Sequence, residues 1–310
     1  MNELQTTAKS EISFTDGTLY NSFLDFLNVR PNSIATYKTG VKQFLKYLYE
    51  NQITNPDRQN IIDFVDYLGE KGLKPTTIHS YLISVKIFFA WMEQEGLYPD
   101  IAKRVKAPDI EKTFKHDYMT AAQCKRLLSK VNTTGETGKR DYALIALLLT
   151  TGLRTIEAAR ANTEDLTTRG ACTVLYIQGK GKDEKADFVK IPEPTENAIR
   201  DYLGSRTTPT KKGTPLFAST SNNNKGQRMT TRSVRRIAKN RLIEAGYNSD
   251  RLTAHSMRHT AAVINLLNGG TLEETATLLR HASPETTRIY SHMIERDNNE
   301  SEARIAAAIF

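Results

Sequence analysis

The chain has 310 residues, 39% of them hydrophobic and 25% charged, with a mean hydropathy of −0.49. That length suggests about two domains, and the composition excludes a largely disordered or collagen-like chain. Lys and Arg number 43 against 35 Asp and Glu, a net +8 that is compatible with a polyanionic partner without demonstrating one.

The first 16 residues are polar and are expected to be loose. The opening MNELQTTAKSEIS lacks the basic-then-apolar order of a secretory signal. The longest apolar run, Ala143 to Leu149, is too short to span a bilayer. Cys124 and Cys172 cannot build a disulfide framework or a four-ligand zinc site, so a reducing compartment is expected. A cytoplasmic protein with no membrane partner is the resulting expectation.

From Thr18 to about Arg104 the pattern is helical. Phe23, Phe26 and Leu27 recur at helical spacing, as do Val41, Phe44, Leu45 and Leu48, then Ile61, Ile62, Val65 and Leu68. Gly72, Pro75, Gly96 and Pro99 punctuate the run. SIATY through VKQFL, 33–45, resembles TIHSY through VKIFF, 77–89. Two similar helices packed in one bundle explain this better than a repeat array. Their polar sides offer Lys38, Lys42, Thr77, His79 and Lys86, types suited to phosphate contacts. A helical domain over 17–106 is predicted.

VKAPDIEKTFKHDY, 105–118, lacks periodic apolar residues and carries Pro108, so a linker is assigned to 107–118. Thr120 with Gln123 forms a capping-box pattern that opens a second domain, 119–296, of mixed helix and strand. Asp141–Leu149 reads as a buried helix ending near Gly152. Thr173–Ile177 and Asp187–Ile191 read as the two strands of a hairpin whose polar tip is GKGKDEK. After Pro194 the helical pattern returns. Thr271 with Glu274 is another capping box, and Ser283-Pro284 fits a helix start.

Between Lys225 and His259 stand nine Lys and Arg (Lys225, Arg228, Arg232, Arg235, Arg236, Lys239, Arg241, Arg251, Arg258) and two acids, nearly the whole net charge. Thr230 through Arg241 reads as a basic helix. Arg232, Arg235, Arg236 and Lys239 are its candidates for nucleic-acid contact. Residues 297–310 form a tail, apolar on one side from Glu302 onward.

Four separated motifs carry the chemistry: TGLRTIEA (151–158), IQGKGKDEKADFVKIP (177–192), AHSMRHTAA (254–262) and TLLRHASPETTRIYSH (277–292). Two guanidiniums, Arg154 and Arg258, suit the charge that builds on phosphate oxygens during phosphodiester cleavage. Glu157, one helical turn from Arg154, could hold that arginine in place. Gly179-Lys180-Gly181 does not match a nucleotide-binding loop. His255 and His259 share a helical spacing, but neither a third ligand nor the intervening glutamate of a zinc protease is evident. No metal and no cofactor are expected.

In this order the motifs resemble the tyrosine recombinase (phage integrase) family. NSIATYKTGVKQFLKYL and KPTTIHSYLISVKIFFAWM resemble its core-binding domain, so the likeness spans about residues 17 to 295. The resemblance implies a mainly α fold with a small antiparallel hairpin or sheet. Its parts would be a helical, SAM-like core-binding domain and a mixed α+β catalytic domain, clamped around duplex DNA. It implies Tyr290 as nucleophile, Lys180 as general acid, His255 as general base or phosphate partner, and His281 as a further phosphate ligand. Tyr176 and Tyr247 are weaker candidates for the nucleophile, without such neighbours. The family often has glycine before the second histidine. Here Arg280 stands there, an added cation either for DNA or for a helix end. Structural roles are preferred for His259 and His292.

The implied activity is site-specific recombination through a 3′-phosphotyrosyl intermediate, serving integration or excision of a mobile element, or resolution. The implied partners are double-stranded DNA with an inverted-repeat core site, a homotetramer on synapsed DNA, and an accessory DNA-bending or excisionase protein. The setting would be the bacterial nucleoid, with the tail docking on a neighbouring protomer or on its own domain. With about 16 residues before the core-binding pattern, an arm-binding domain is not expected. A type IB-like topoisomerase and a non-catalytic DNA-binding regulator of the same fold are the alternatives.

Overall fold

The computed structural model describes residues 14, 17–110, 117–179, 184–281, 283, 287–291, 294 and 299–310. It divides into two compact units, residues 1–113 and 114–310. The fold is mainly helical with one three-stranded antiparallel sheet.

The first unit contains α1 (Gly17–Phe26), α2 (Pro31–Glu50), α3 (Arg58–Glu70) and α4 (Pro75–Gln94). Proline at the first helical position starts both α2 and α4, whose preceding residues Arg30 and Lys74 make no side-chain cap. These are the two similar segments of the sequence, and they pack against each other. Gly40 permits their close packing, because a Cβ there would sit 2.4 Å from Ser84 Oγ. The core is aromatic. Phe23 meets Phe88 edge to face at 5.2 Å, and Phe44 meets Phe64 likewise. Phe14 is 3% exposed and packs edge-on against Tyr98. It lies in the stretch read as loose; a single phenyl ring that fills an aromatic gap overrides the polarity of its neighbours.

The second unit holds α5 (Ala121–Ser129), α6 (Glu136–Thr151) and α7 (Thr155–Arg160). The strands follow, β1 (Leu166–Arg169), β2 (Cys172–Ile177) and β3 (Asp187–Lys190). The later helices are α8 (Glu193–Ser205), α9 (Thr231–Glu244), α10 (Ala254–Leu267), α11 (Leu272–Leu279) and α12 (Ser301–Ile309). Strand order is β1-β2-β3, with Leu166 opposite Leu175 and Val174 opposite Lys190. Both expected strands form. β1 was not foreseen, since only Leu166 among its four residues is apolar and its other three are exposed. It pairs through the two-residue turn Gly170-Ala171, where Gly170 takes a φ of 60°. Both capping boxes are formed: Gln123 N donates to Thr120 Oγ1 at 3.2 Å, and Glu274 N donates to Thr271 Oγ1 at 3.1 Å. Residues 287–291 are helical. The hairpin tip at 180–183 and the helix start expected at Pro284 lie outside the described residues. Among the described residues, no helix is long and apolar enough to cross a membrane.

Candidate active site

α6 ends at Gly152 in the left-handed region, φ 59°. Glycine is needed there twice over, because that backbone disfavours other residues and a Cβ would sit 2.6 Å from Leu279 Cδ2. The turn exposes the Gly152 carbonyl, which accepts from Arg258 Nη1 at 2.5 Å. Arg258 Nη2 donates to the carbonyl of Leu279, the last residue of α11. The guanidinium thus bridges the C-terminal ends of α6 and α11, where helix dipoles favour a cation. It is 2% exposed. Burial, then the nearby positive charges of Arg154 and Arg280, bring its pKa down to about 10, so it stays charged at neutral pH.

Arg154 stands just before α7. Its backbone N donates to Glu157 Oε2 at 2.7 Å and its Nη1 to Glu157 Oε1 at 3.0 Å. The helical-turn spacing that pointed to this pair is the spacing that forms it. A second cation on the same carboxylate was not foreseen: Arg280 Nη2 donates to Glu157 Oε2 at 2.9 Å. Glu157 is 1% exposed, buried between two guanidiniums. Arg280 Nη1 also donates to the Leu278 carbonyl at 2.7 Å, so this cation serves a helix end, one of the two roles left open for it. Arg280 itself closes α11 with φ 53°, a left-handed backbone that costs a non-glycine residue roughly 1–2 kcal/mol.

His281 follows directly. Its Nδ1 shares a hydrogen bond with Thr287 Oγ1 at 2.9 Å. Burial, then the charges of Arg258, Arg154, Arg280 and His255, lower its pKa to about 4. It is therefore a neutral imidazole near pH 7, able to donate one hydrogen bond without adding charge.

Tyr290 is 2% exposed and packs with Ala262, Val263 and Leu279. Burial raises its pKa to about 12, against a smaller lowering by Arg258. Its hydroxyl meets His259 Nδ1 at 2.5 Å. The His255 ring lies edge-on to His259 at 4.5 Å and is exposed. The sequence assigned His259 no more than a structural part. Its spacing of four from His255 was the available signal, and it puts both rings on one face of α10, with His259 beside Tyr290.

Arg154, Glu157, His281 and Tyr290 thus each lie within electrostatic reach of Arg258, and His255 lies within reach of His281. Lys180 and His292 lie outside the described residues. Tyr176 faces Phe188 across β2 and β3, and Tyr247 packs on the core of its unit. Among the described residues, no group of three or more His, Cys, Asp or Glu could hold a metal ion. Two fixed guanidiniums, a neutral imidazole and a phenol can bind a tetrahedral oxyanion and attack it.

The basic helix α9 exposes Arg232, Arg235 and Arg236. Lys239 is half-buried. Its Nζ donates to the Ser249 carbonyl at 2.6 Å, which fastens the turn before α10 and removes the ammonium from the exposed set. Arg228 and Arg241 are likewise engaged, with the Ala159 carbonyl at 2.9 Å and with Asp141 Oδ2 at 2.6 Å. In the first unit, Lys42 is exposed, while Thr77, His79 and Lys86 are half-buried.

Residues 117–296 match the phage integrase family, and residues 21–96 match the phage integrase N-terminal SAM-like domain. The tyrosine recombinase XerD of Listeria innocua is 26% identical over 284 residues, covering 89% of this chain and 94% of its own. The tyrosine recombinase XerC of Corynebacterium glutamicum is 30% identical over 280 residues, covering 89% and 87%. Among solved structures, the XerH site-specific recombinase in a post-cleavage complex with palindromic difH substrate superposes with a TM-score of 0.72 at 21% identity, over 97% of this chain and 92% of that one. The matched segments take in all four motifs and both similar helices, and on that ground the chain belongs to the phage integrase family, the tyrosine recombinases.

Proposed function

We propose that the protein is a site-specific recombinase that cuts and rejoins DNA strands through a 3′-phosphotyrosyl intermediate. One observation carries the reading: the guanidinium of Arg258 lies between the phenol of Tyr290 and a second guanidinium, Arg154, within the electrostatic reach of both, and both guanidiniums are fixed by buried acceptors rather than by mobile solvent-exposed partners. In this reading Arg154 and Arg258 hold the nonbridging oxygens of the scissile phosphate, and His281 adds a neutral donor. The Tyr290 oxygen attacks phosphorus and the bond to the 5′ oxygen breaks. The phenol's proton leaves toward the His259–His255 pair. The leaving 5′ oxygen takes a proton from Lys180, a role the family resemblance implies. A 5′ hydroxyl from a partner strand then attacks the phosphotyrosine and releases Tyr290. One phosphodiester replaces another, so no external energy source is required.

The partner is double-stranded DNA with an inverted-repeat core site, and the exposed Arg232, Arg235 and Arg236 on α9 supply backbone contacts. Work on synapsed DNA calls for a homotetramer. The fully exposed α12, with Ile305 58% and Ile309 69% exposed, supports docking of the tail on a neighbouring protomer. An accessory DNA-bending or excisionase protein and a place at the bacterial nucleoid complete the proposal.

The test begins by selecting bound duplexes from a random-sequence pool, which yields a core site. A nicked suicide duplex of that site is then incubated with the protein and run on a denaturing gel. Wild type should form a covalent protein–DNA adduct and Tyr290→Phe none. An adduct with Tyr290→Phe overturns the assignment of the nucleophile. Relaxation of a supercoiled plasmid without exchange between two sites would replace recombination with topoisomerase activity.

A further inference from the structure

The Arg280 side chain crosses from the end of α11 to a carboxylate 123 positions away in the chain. The backbone at this position is left-handed, φ 53° and ψ 48°, where glycine carries no penalty and arginine does. The turn does not need arginine: its own bonds, Arg280 N to the Thr277 carbonyl and His281 N to the Ala276 carbonyl, both at 3.0 Å, are backbone bonds that glycine would make. The guanidinium is what the position adds. It grips the Leu278 carbonyl on one side and Glu157 on the other. Glu157 in turn holds Arg154 through both its backbone and its side chain.

We infer that Arg280 is a positioning residue for strand cleavage: through Glu157 of α7 it locks Arg154 to the turn that delivers His281. This rests on the reading above, in which Arg154 and His281 bind the scissile phosphate. The two phosphate ligands come from elements with no shared strand or helix, and the Arg280–Glu157 bridge ties those elements together. Arg154 keeps 31% of its side chain open to a ligand, whereas Arg280 keeps 13%. Arg154 is therefore the phosphate-facing partner and Arg280 the anchor. Without Arg280, Glu157 keeps its two bonds to Arg154 but loses its one tie to the turn after α11, so the Arg154–Glu157 pair can shift as a unit relative to His281. A small misplacement of a reacting group is enough to cost about a hundredfold in rate.

The experiment uses the full chain on the suicide duplex under single-turnover conditions, where the first-order rate constant and the amplitude are read separately. Arg280→Gly removes the anchor and leaves the turn in its preferred residue. The rate constant at saturating DNA should fall about ten- to a hundredfold, with DNA affinity little changed. Arg280→Lys, which can still reach Glu157 with one donor, should recover part of the loss. In a Glu157→Gln background the Arg280→Gly change should add little, because both act through one contact. A merely structural role lowers the amplitude and the melting temperature but leaves the rate constant at its wild-type value, and that result overturns the inference. So does weakened DNA binding with an unchanged rate constant, which makes Arg280 a DNA ligand, or full additivity with Glu157→Gln. Arg280→Asn, also tolerant of the left-handed backbone, gives the same readout should the glycine variant fail to fold. Absence of an adduct with wild type itself would strike the parent reading instead.

Discussion

Both units have an apolar core, but only the second also buries charged side chains among the described residues. In the first, Phe23, Phe44, Phe64, Phe88, Phe89 and Trp91 fill the interior, and Ser84 is its one buried polar side chain, tyrosines aside, among the described residues. In the second, Arg140, Asp141, Glu157, Asp165, Arg258 and His259 are all buried. Two arginine–carboxylate–arginine triads recur there, Arg140–Asp141–Arg241 and Arg154–Glu157–Arg280. An apolar core is the cheaper way to hold a fold, since taking charges from water costs several kcal/mol per ion before their attraction repays it. The second unit carries that cost where fixed cations are needed. The first needs only a rigid frame that leaves Lys38 and Lys42 at its surface.

The contrast can be broken most sharply with a pair of truncations. Glu157→Ala leaves two guanidiniums without their counterion and should destabilise by about 3–5 kcal/mol; Phe88→Ala should cost a similar ~3–5 kcal/mol through an aromatic cavity. Urea melts would compare the two. Only Glu157→Ala should abolish adduct formation, while Phe88→Ala keeps a rate constant close to wild type at saturating DNA. Equal loss of chemistry from both would erase the distinction between frame and site. Next, Arg258→Lys keeps a charge but cannot span the Gly152 and Leu279 carbonyls. Its cleavage rate should drop by about two to three decades, the usual loss of about 2.7–4 kcal/mol for one transition-state donor.

A smaller effect separates the units by pH. The His281 pKa lies near 4 instead of the ordinary 6.5, owing to burial and the surrounding cations. Between those values the unfolded chain binds a proton that the folded one does not, so stability falls as pH drops from 6.5 toward 4 and levels off below. Thermal melts across that window should show the slope, and His281→Asn should flatten it. Smallest of all, Lys42→Ala sits on an exposed face of α2 and should move stability by less than about 0.5 kcal/mol. Its mark should be in DNA binding, where the salt slope drops by about 1.

Local rules were legible from the residues alone. Period and punctuation marked α2 and α4, and the Thr120–Gln123 and Thr271–Glu274 boxes formed where the spacing put them. β1 was not legible, because three of its four side chains face solvent and its existence depends on the backbone edge that β2 offers. Nor was the burial of Phe14, which depends on a gap between Phe89 and Tyr98. The charge count over 225–259 did not tell which cations the fold itself engages. Arg228, Lys239 and Arg241 are engaged with the protein itself, Arg251 pairs with Asp117, and Arg258 is buried.

By itself the sequence determined which chemistry is present: guanidiniums, imidazoles and a phenol in a fixed order, at +8 overall. The Arg154–Glu157 pair also belongs to it, because one helical turn brings those residues together wherever the helix lies. Only the tertiary structure decided that Arg280 shares Glu157, that His259 holds the Tyr290 hydroxyl, and that Arg258 ties two helix ends. Those contacts span 21 to 123 positions of chain. No local propensity encodes such a distance; packing of α6, α7, α10 and α11 around one another sets it.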